Sequence, residues 1–374
     1  MGLATWIWAN VIPFLFVLTV IVFFHELGHF VVARWCGVRV KVFSVGFGPE
    51  LLGFTDRKGT RWKLAIIPLG GYVKFLGDEN AASVADRAEV EAMNPAERAQ
   101  SFAGKSVWAR AAIVAAGPIA NFLLAIAIFT GIFSIYGRET LSPIVDSIEV
   151  GSAAEQAGFL AGDLVVSIDG QAIQTFSDMQ RIVSVRAGEP LSVMVRRDGA
   201  EVILTATPEL KEMPDGLGNQ QRLGVLGIKR DPSASDVVTE RYSLPEATVL
   251  AVQETGFVVE RTLPYLFGVV TGRESTDQLG GPIRVAQISA KVATFGFLAL
   301  VNLAALLSIS VGLINLFPIP ILDGGHLLFN LLEAVRGKPL SDRVQEIGFR
   351  VGFAAILALM IFTVFQDSRP WWGS

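Results

Sequence analysis

Cysteine and histidine are almost missing from this chain. Cys36 is the only cysteine in 374 residues, which excludes an intramolecular disulfide and leaves the redox compartment unreadable. Histidine occurs three times, at positions 25, 29 and 326. Charged residues make up 18%, and none lies between Trp6 and Phe24. The net charge of −4 gives no reason to expect a nucleic-acid partner. No long-period repeat is visible. The N-terminus lacks a basic n-region and a small-residue cleavage signal, so its apolar run reads as a retained span rather than a removed signal peptide.

What is present is apolar. Hydrophobic residues make up 51% of the chain and the mean hydropathy is positive, too greasy for an ordinary soluble protein of this size. The charges cluster between apolar runs, the pattern of a polytopic membrane protein carrying a soluble domain. The expected fold is a polytopic α-helical membrane protein with four transmembrane helices. A small membrane-associated β-element and one extracytoplasmic PDZ-like α/β domain complete it. The spans are expected at about Thr5–Ala33, Ala111–Tyr136, Val292–Phe317 and, short, Gly348–Phe365. The divisions are a first transmembrane helix in 1–36, a cytoplasmic strand-rich loop in 37–105 and a second helix in 106–137. The α/β domain occupies 138–232, an amphipathic surface linker 233–290, a third helix 291–326, and a loop with the fourth helix 327–374.

Within 37–105, Val38-Arg39-Val40-Lys41-Val42-Phe43 alternates as a strand does, and Trp62–Ile67 and Tyr72–Leu76 follow around Pro68-Leu69-Gly70-Gly71. Asp78–Gln100 reads as an exposed loop with some helix. Leu244–Val270 is apolar, but Glu246, Glu254, Glu260 and Arg261 interrupt it, so it reads as a helix lying along a membrane surface. Basic residues crowd after the first span (Arg34, Arg39, Lys41, Arg57, Lys58, Arg61, Lys63). The positive-inside rule therefore places residues 34–110 in the cytoplasm and both termini and the α/β domain outside it.

The chemistry lies in His25-Glu26-Leu27-Gly28-His29, an HExxH motif inside the first apolar run. On a helix His25 and His29 project from one face and can share a metal ion, with Glu26 placed to handle a proton from water. Such a motif arises by chance in unrelated helices, but buried ionisable groups in a membrane cost several kcal/mol unless paired or employed. A catalytic zinc takes three protein ligands. Asp323 and His326, late in the third span, are both candidates for the third place, and their spacing does not choose between them.

Two resemblances sharpen this. The run Ile148–Gly158, with Ala161-Gly162-Asp163-Leu164-Val165-Val166-Ser167-Ile168-Asp169-Gly170, resembles a bacterial PDZ domain. In it Leu223-Gly224-Val225-Leu226-Gly227-Ile228 looks like the peptide-binding loop and strand in circularly permuted order. PDZ domains bind extended peptides by adding a strand to a sheet edge. The HExxH helix, this domain and Asn315-x-x-Pro318-x-Pro320-x-Leu322-Asp323-Gly324-Gly325 together resemble the site-2 protease family. Gly46-Phe47-Gly48, Pro68–Lys74 and Gly117-Pro118-Ile119-Ala120-Asn121-Phe122 extend the likeness over nearly the whole chain, and the closest branch is the bacterial regulator-of-sigma-E proteases.

That resemblance implies one Zn2+ per chain held by His25, His29 and Asp323, catalysis by Glu26, and a site in the cytoplasmic half of a bacterial inner membrane. It implies substrate contact by Asn315. The strand segment 38–76, closing on Gly70, Gly71, Tyr72 and Val73, offers a place for an unwound substrate to pair. The implied substrates are single-span membrane proteins such as anti-sigma factors, with remnant signal peptides as an alternative. A non-catalytic PDZ-bearing adaptor in contact with membrane lipid is the reading from another class. The sigma-E branch typically carries two PDZ domains in tandem, and this chain has room for one.

Overall fold

The computed structural model describes residues 3–78, 92–214, 220–230, 237–273, 276 and 280–372. It separates into two compact units, Met1–Phe129 with Glu254–Val259 and Leu279–Ser374, and Thr130–Gln253 with Glu260–Gln278.

Four helices among the described residues are long and apolar enough to cross a membrane: Val11–Trp35 within α1 (Leu3–Trp35), α3 (Val107–Ile135), α8 (Phe297–Asn315) and Arg343–Ser368 within α10 (Asp342–Trp372). The shortest has 19 residues, about 28 Å at ~1.5 Å per residue, close to the ~30 Å of a hydrocarbon core. The chain is thus an integral membrane protein. Between them lie α2 (Pro95–Arg98), α7 (Pro282–Ala293) and α9 (Asp323–Arg336).

Small residues set how closely the spans approach. A side chain at Gly28 would sit 2.2 Å from the Ala116 carbonyl and 2.8 Å from Ala120 Cβ, so α1 and α3 meet nearly backbone to backbone. Gly312 brings α8 to within a similar distance of Asn121 on α3, where a Cβ would lie 3.2 Å from Asn121 Cβ. Val17 and Ile21 of α1 bury against Leu300, Leu303 and Ala304 of α8, with Ile288 and Val292 of α7 alongside.

Two expected spans need correction. Val292–Phe317 is not one helix: α7 ends at Ala293 and α8 begins at Phe297, with Gly296 between them at φ +106°, a conformation side chains resist. The fourth span is longer than expected, because α10 continues through polar residues at both ends of its apolar stretch. Of Asp78–Gln100, residues 79–91 lie outside the described part, and the rest holds α2, opened by an Asn94–Glu97 capping box.

β1 (Val40–Thr55) and β2 (Arg61–Phe75) form a sheet more folded than a simple hairpin. Val42–Val45 pair with Lys74–Gly71, the residue numbers summing to a constant, so those runs are antiparallel. The same four residues also pair with Arg61–Leu64 at a constant offset, so on that side the neighbour runs the same way. Arg61–Leu64 in turn pair with Leu52–Thr55. The segment around Val42–Val45 is therefore internal, and Gly71–Phe75 forms an outer edge. Phe43, Val45, Val73 and Phe75 bury against Phe30 and Ala33 of α1 and Ile113 of α3, fastening the sheet to the spans.

The turn of this sheet is tied to the end of α1. Asp56 accepts from the backbone N–H of Lys58 and Thr60 at 2.9 and 3.0 Å, from Trp62 Nε1 at 3.1 Å, and from the Arg34 guanidinium. Partial burial opposes ionisation, yet these donors outweigh it and hold the Asp56 carboxyl down at about 2.

The second unit contains an α/β module. Its four-stranded sheet has the order β6 (Gln171–Ala172), β5 (Leu164–Ile168), β7 (Leu191–Arg197), β8 (Ala200–Ala206). Asp169-Gly170 joins β5 to β6 and Asp198-Gly199 joins β7 to β8. In both dipeptides both residues have positive φ, the type I′ geometry of two-residue hairpins. Val145, Phe159, Val165, Leu191, Val193 and Val195 form its core with Met179 and Val183 of α5 (Phe176–Val185). Asp163, fully buried, takes a two-pronged pair of hydrogen bonds from Arg197, both 2.7 Å. α6 (Leu244–Val270) follows the module as a continuous helix.

The segment 223–228 is the end of one strand, a bend and the start of another. Leu223–Val225 close a strand paired with Glu209–Lys211, Gly227 turns at φ +84°, and Ile228 pairs with Ile148.

Candidate metal centre

HExxH lies well inside α1, so His25 and His29 emerge one turn apart on one face, their Nε2 atoms 3.2 Å from each other. Their room comes from α3. A Cβ at Gly117 would lie 2.3 Å from His29 Nε2 and 2.9 Å from His25 Cε1, so only glycine fits there. Ile113, Gly117 and Asn121 follow one another at helical spacing and form the wall behind both rings. His29 Nδ1 lies 2.9 Å from the Ile113 carbonyl, and His25 Nδ1 lies 3.2 Å from Asn121 Nδ2.

Asp323 reaches this pair from a place the sequence reading did not anticipate. It is not late in a span. α8 stops at Asn315, and Asp323 stands in the first turn of α9. The intervening seven residues fold back so tightly that a Cβ at Gly324 would lie 2.2 Å from the Phe317 carbonyl, and one at Gly325 2.3 Å from the Ile319 carbonyl. The two glycines after Asp323 thus let the turn close. A carboxylate in a helix's first turn is also favoured by the N-terminal dipole.

Asp323 Oδ2 lies 3.1 Å from His25 Nε2 and 3.5 Å from His29 Nε2. It is buried without a hydrogen bond. His29, giving its Nδ1 hydrogen to Ile113, turns a lone pair inward, toward the same point as the Asp323 carboxylate and His25 Nε2. A tetrahedral ion with bonds of about 2.0–2.1 Å holds its ligand atoms about 3.3 Å apart. The three separations here, 3.1, 3.2 and 3.5 Å, bracket that value. The donor set fits zinc.

The cluster lines a cavity of about 200 Å³ together with Glu26, Gly71, Tyr72, Val73, Asn315 and His326. Glu26 lies against the outer strand, with the Val73 backbone N–H donating to its carboxylate. A Cβ at Gly71 would come within 3.0 Å of Glu26 Cγ and 2.7 Å of the Ser44 carbonyl, so glycine lets the strand come this close. Gly70 is set back, at φ +141° against the Phe47 ring. Asn315 faces the cavity while its Nδ2 donates to the Val311 carbonyl at 3.1 Å. His326 borders the cavity, packs on Phe349 with ring centres 5.3 Å apart, and stands outside the converging trio. Leu223–Ile228 belong to the other unit.

Gly117 and Asn121, which the sequence marks only as part of a family likeness, are placed by the structure against the ligands. Their four-residue spacing, repeating that of His25 and His29, is the signal that could have found them.

Two histidines and a glutamate of a membrane-spanning helix, gathered in one cavity with an aspartate from a following helix, define the class of integral-membrane zinc metalloproteases. The family profile "Peptidase family M50" matches residues 13–359, and the chain belongs to that family, the site-2 proteases. Its similarity to named proteins runs nearly end to end. It is 51% identical over 357 residues to a candidate zinc metalloprotease of Agrobacterium fabrum, covering 96% of this chain and 95% of that protein. It is 40% identical over 378 residues to the metalloprotease MmpA of Caulobacter vibrioides, covering 95% and 94%. A candidate zinc metalloprotease of Rickettsia conorii is 34% identical over 361 residues, covering 96% and 98%.

Proposed function

We propose that this membrane zinc metalloprotease hydrolyses peptide bonds within or near the transmembrane segments of single-span proteins, as the second cut in regulated intramembrane proteolysis. In this reading His25, His29 and Asp323 hold one zinc ion, and Glu26 is the general base. The observation that carries it is the placing of Glu26 between that trio and the outer edge of the sheet.

When bound, zinc supplies Lewis-acid polarisation of the scissile carbonyl and a more acidic water. The chain's own residues do the rest. Glu26, oriented by the Val73 N–H, takes a proton on its carboxylate and returns it to the leaving amine. A transmembrane substrate hides its amides in helical hydrogen bonds, so it must unwind, and the freed groups need partners in a dry site. Gly71–Val73 lies along the cavity beside Glu26 and offers its outer edge for pairing, with the Val73 N–H engaged by Glu26. Asn315 contributes a polar side chain on the facing wall.

In this reading the chain sits in a bacterial inner membrane with residues 34–110 cytoplasmic. The α/β module is an extracytoplasmic PDZ domain that screens trimmed substrates, such as anti-sigma factors, through Leu223–Ile228. The test incubates purified wild type and Glu26→Gln with a model single-span substrate and measures both cleavage and bound zinc. Cleavage lost with zinc retained supports the reading. Equal cleavage by both proteins refutes it.

A further inference from the structure

An imidazole that gives a lone pair to a metal through Nε2 carries its hydrogen on Nδ1, and that hydrogen needs an acceptor that fixes tautomer and ring angle. For His29 the acceptor is the Ile113 carbonyl at 2.9 Å, part of the backbone and immune to substitution. For His25 the neighbour is a side chain, the Asn121 amide, with Nδ2 at 3.2 Å from Nδ1. Asn121 is fully buried and its Oδ1 makes no hydrogen bond.

With Nδ2 toward the ring, the amide donates. His25 Nδ1 must then be bare and Nε2 carries the hydrogen, directed at Asp323 Oδ2 3.1 Å away. A ring in that state offers no lone pair to a metal. A half-turn of the amide exchanges Nδ2 for Oδ1, and amide orientation follows the partners present. The amide then accepts from Nδ1–H, and Nε2 is freed. Either orientation leaves one amide atom unpaired, so the exchange itself costs little and the ion decides it. An asparagine serves both tautomers, which neither an acceptor-only nor an apolar residue does.

Its backbone is held where this role needs it. Ser308 Oγ on α8 donates to the Asn121 carbonyl at 2.9 Å, and Gly312 leaves room for its Cβ. We propose that Asn121 is the positioning residue for His25, accepting the Nδ1 hydrogen through Oδ1 and so presenting Nε2 to the metal. This rests on the zinc reading of the site.

The experiment uses full-length wild type, Asn121→Leu and Asn121→Asp in detergent. It measures zinc affinity by competition with a chelator, thermal unfolding, and cleavage at saturating zinc. Leucine is nearly the shape of asparagine but accepts nothing, so zinc should bind about 10–100-fold more weakly with unfolding little changed. Aspartate keeps an acceptor, so affinity should stay within a few-fold of wild type. A space-filling role predicts the opposite order, with leucine tolerated and a buried aspartate harmful. Wild-type affinity in Asn121→Leu, or weaker binding by a folded Asn121→Asp than by Asn121→Leu, overturns the proposal. If Asn121→Asp does not fold, Asn121→Leu decides alone. Should wild type itself bind no zinc, the metal reading fails rather than the role of Asn121.

Discussion

At the scale of single residues, the site is a set of close approaches that only particular side chains allow. Asp323→Ala should abolish stoichiometric zinc, as metal analysis of the purified protein would show, because it removes one of three converging donors. Gly117→Ala should do nearly as much harm from a greater chemical distance. Its methyl would be placed 2.3 Å from His29 Nε2, so the ring must move off the metal position or the helices must part. The expected outcome is zinc loss together with a lowered unfolding temperature, whereas Asp323→Ala should lose zinc with a smaller structural cost. HExxH was legible because its spacing states its geometry. Spacing leaves Asp323 and His326 both open, since two candidates three residues apart satisfy a ligand count. The likeness to the site-2 proteases points to Asp323, and the fold of residues 316–322 brings Asp323 to the histidines.

At the scale of elements, apolar runs reveal helices and hide their breaks. The sequence reading carried its third span from Val292 to Phe317 because hydropathy does not fall at Phe295-Gly296, where the chain turns. Its division of the chain, with the third helix as 291–326, also takes in Asp323, although a new helix starts there. The β-element was visible as alternation, but not its folding into an internal segment with two neighbours. That depends on pairings between residues far apart in the chain. Its outer edge yields a test: Val73→Pro removes the N–H that Glu26 accepts while leaving the inner ladder, so cleavage should fall several-fold with zinc content unchanged.

The tie between this sheet and α1 carries its own pH signature. Asp56 titrates near 2 in the folded protein, below the ordinary carboxylate value of ~3.9. Its contribution is therefore complete above about pH 4 and disappears as the pH falls through about 2. Emission from Trp62, whose Nε1 donates to Asp56, should report that acid transition in wild type, and Asp56→Asn should lack it.

At the scale of the whole molecule, the two units have cores of their own. Damage to one should spare the chemistry of the other. Arg197→Ala leaves Asp163 charged and fully buried without its partner, a change worth about 3 kcal/mol. The module should lose that much stability in denaturant unfolding while the zinc stoichiometry of the chain stays at the wild-type value. Equal loss of zinc would show that the module's fold supports the centre.

The glycine seam between α1 and α3 also decides how a peptide can be admitted. Gly28 leaves less than a methyl group's clearance to Ala116 and Ala120, and the two histidines are anchored across that same seam. Prising these helices apart would dismantle the ligand set before anything was cut. They act as a fixed jaw. Any peptide that reaches Glu26 has therefore to do so without parting α1 from α3, past the rest of the cavity lining, Gly71–Val73 of the sheet and Ile321 and Leu322 of the turn before α9.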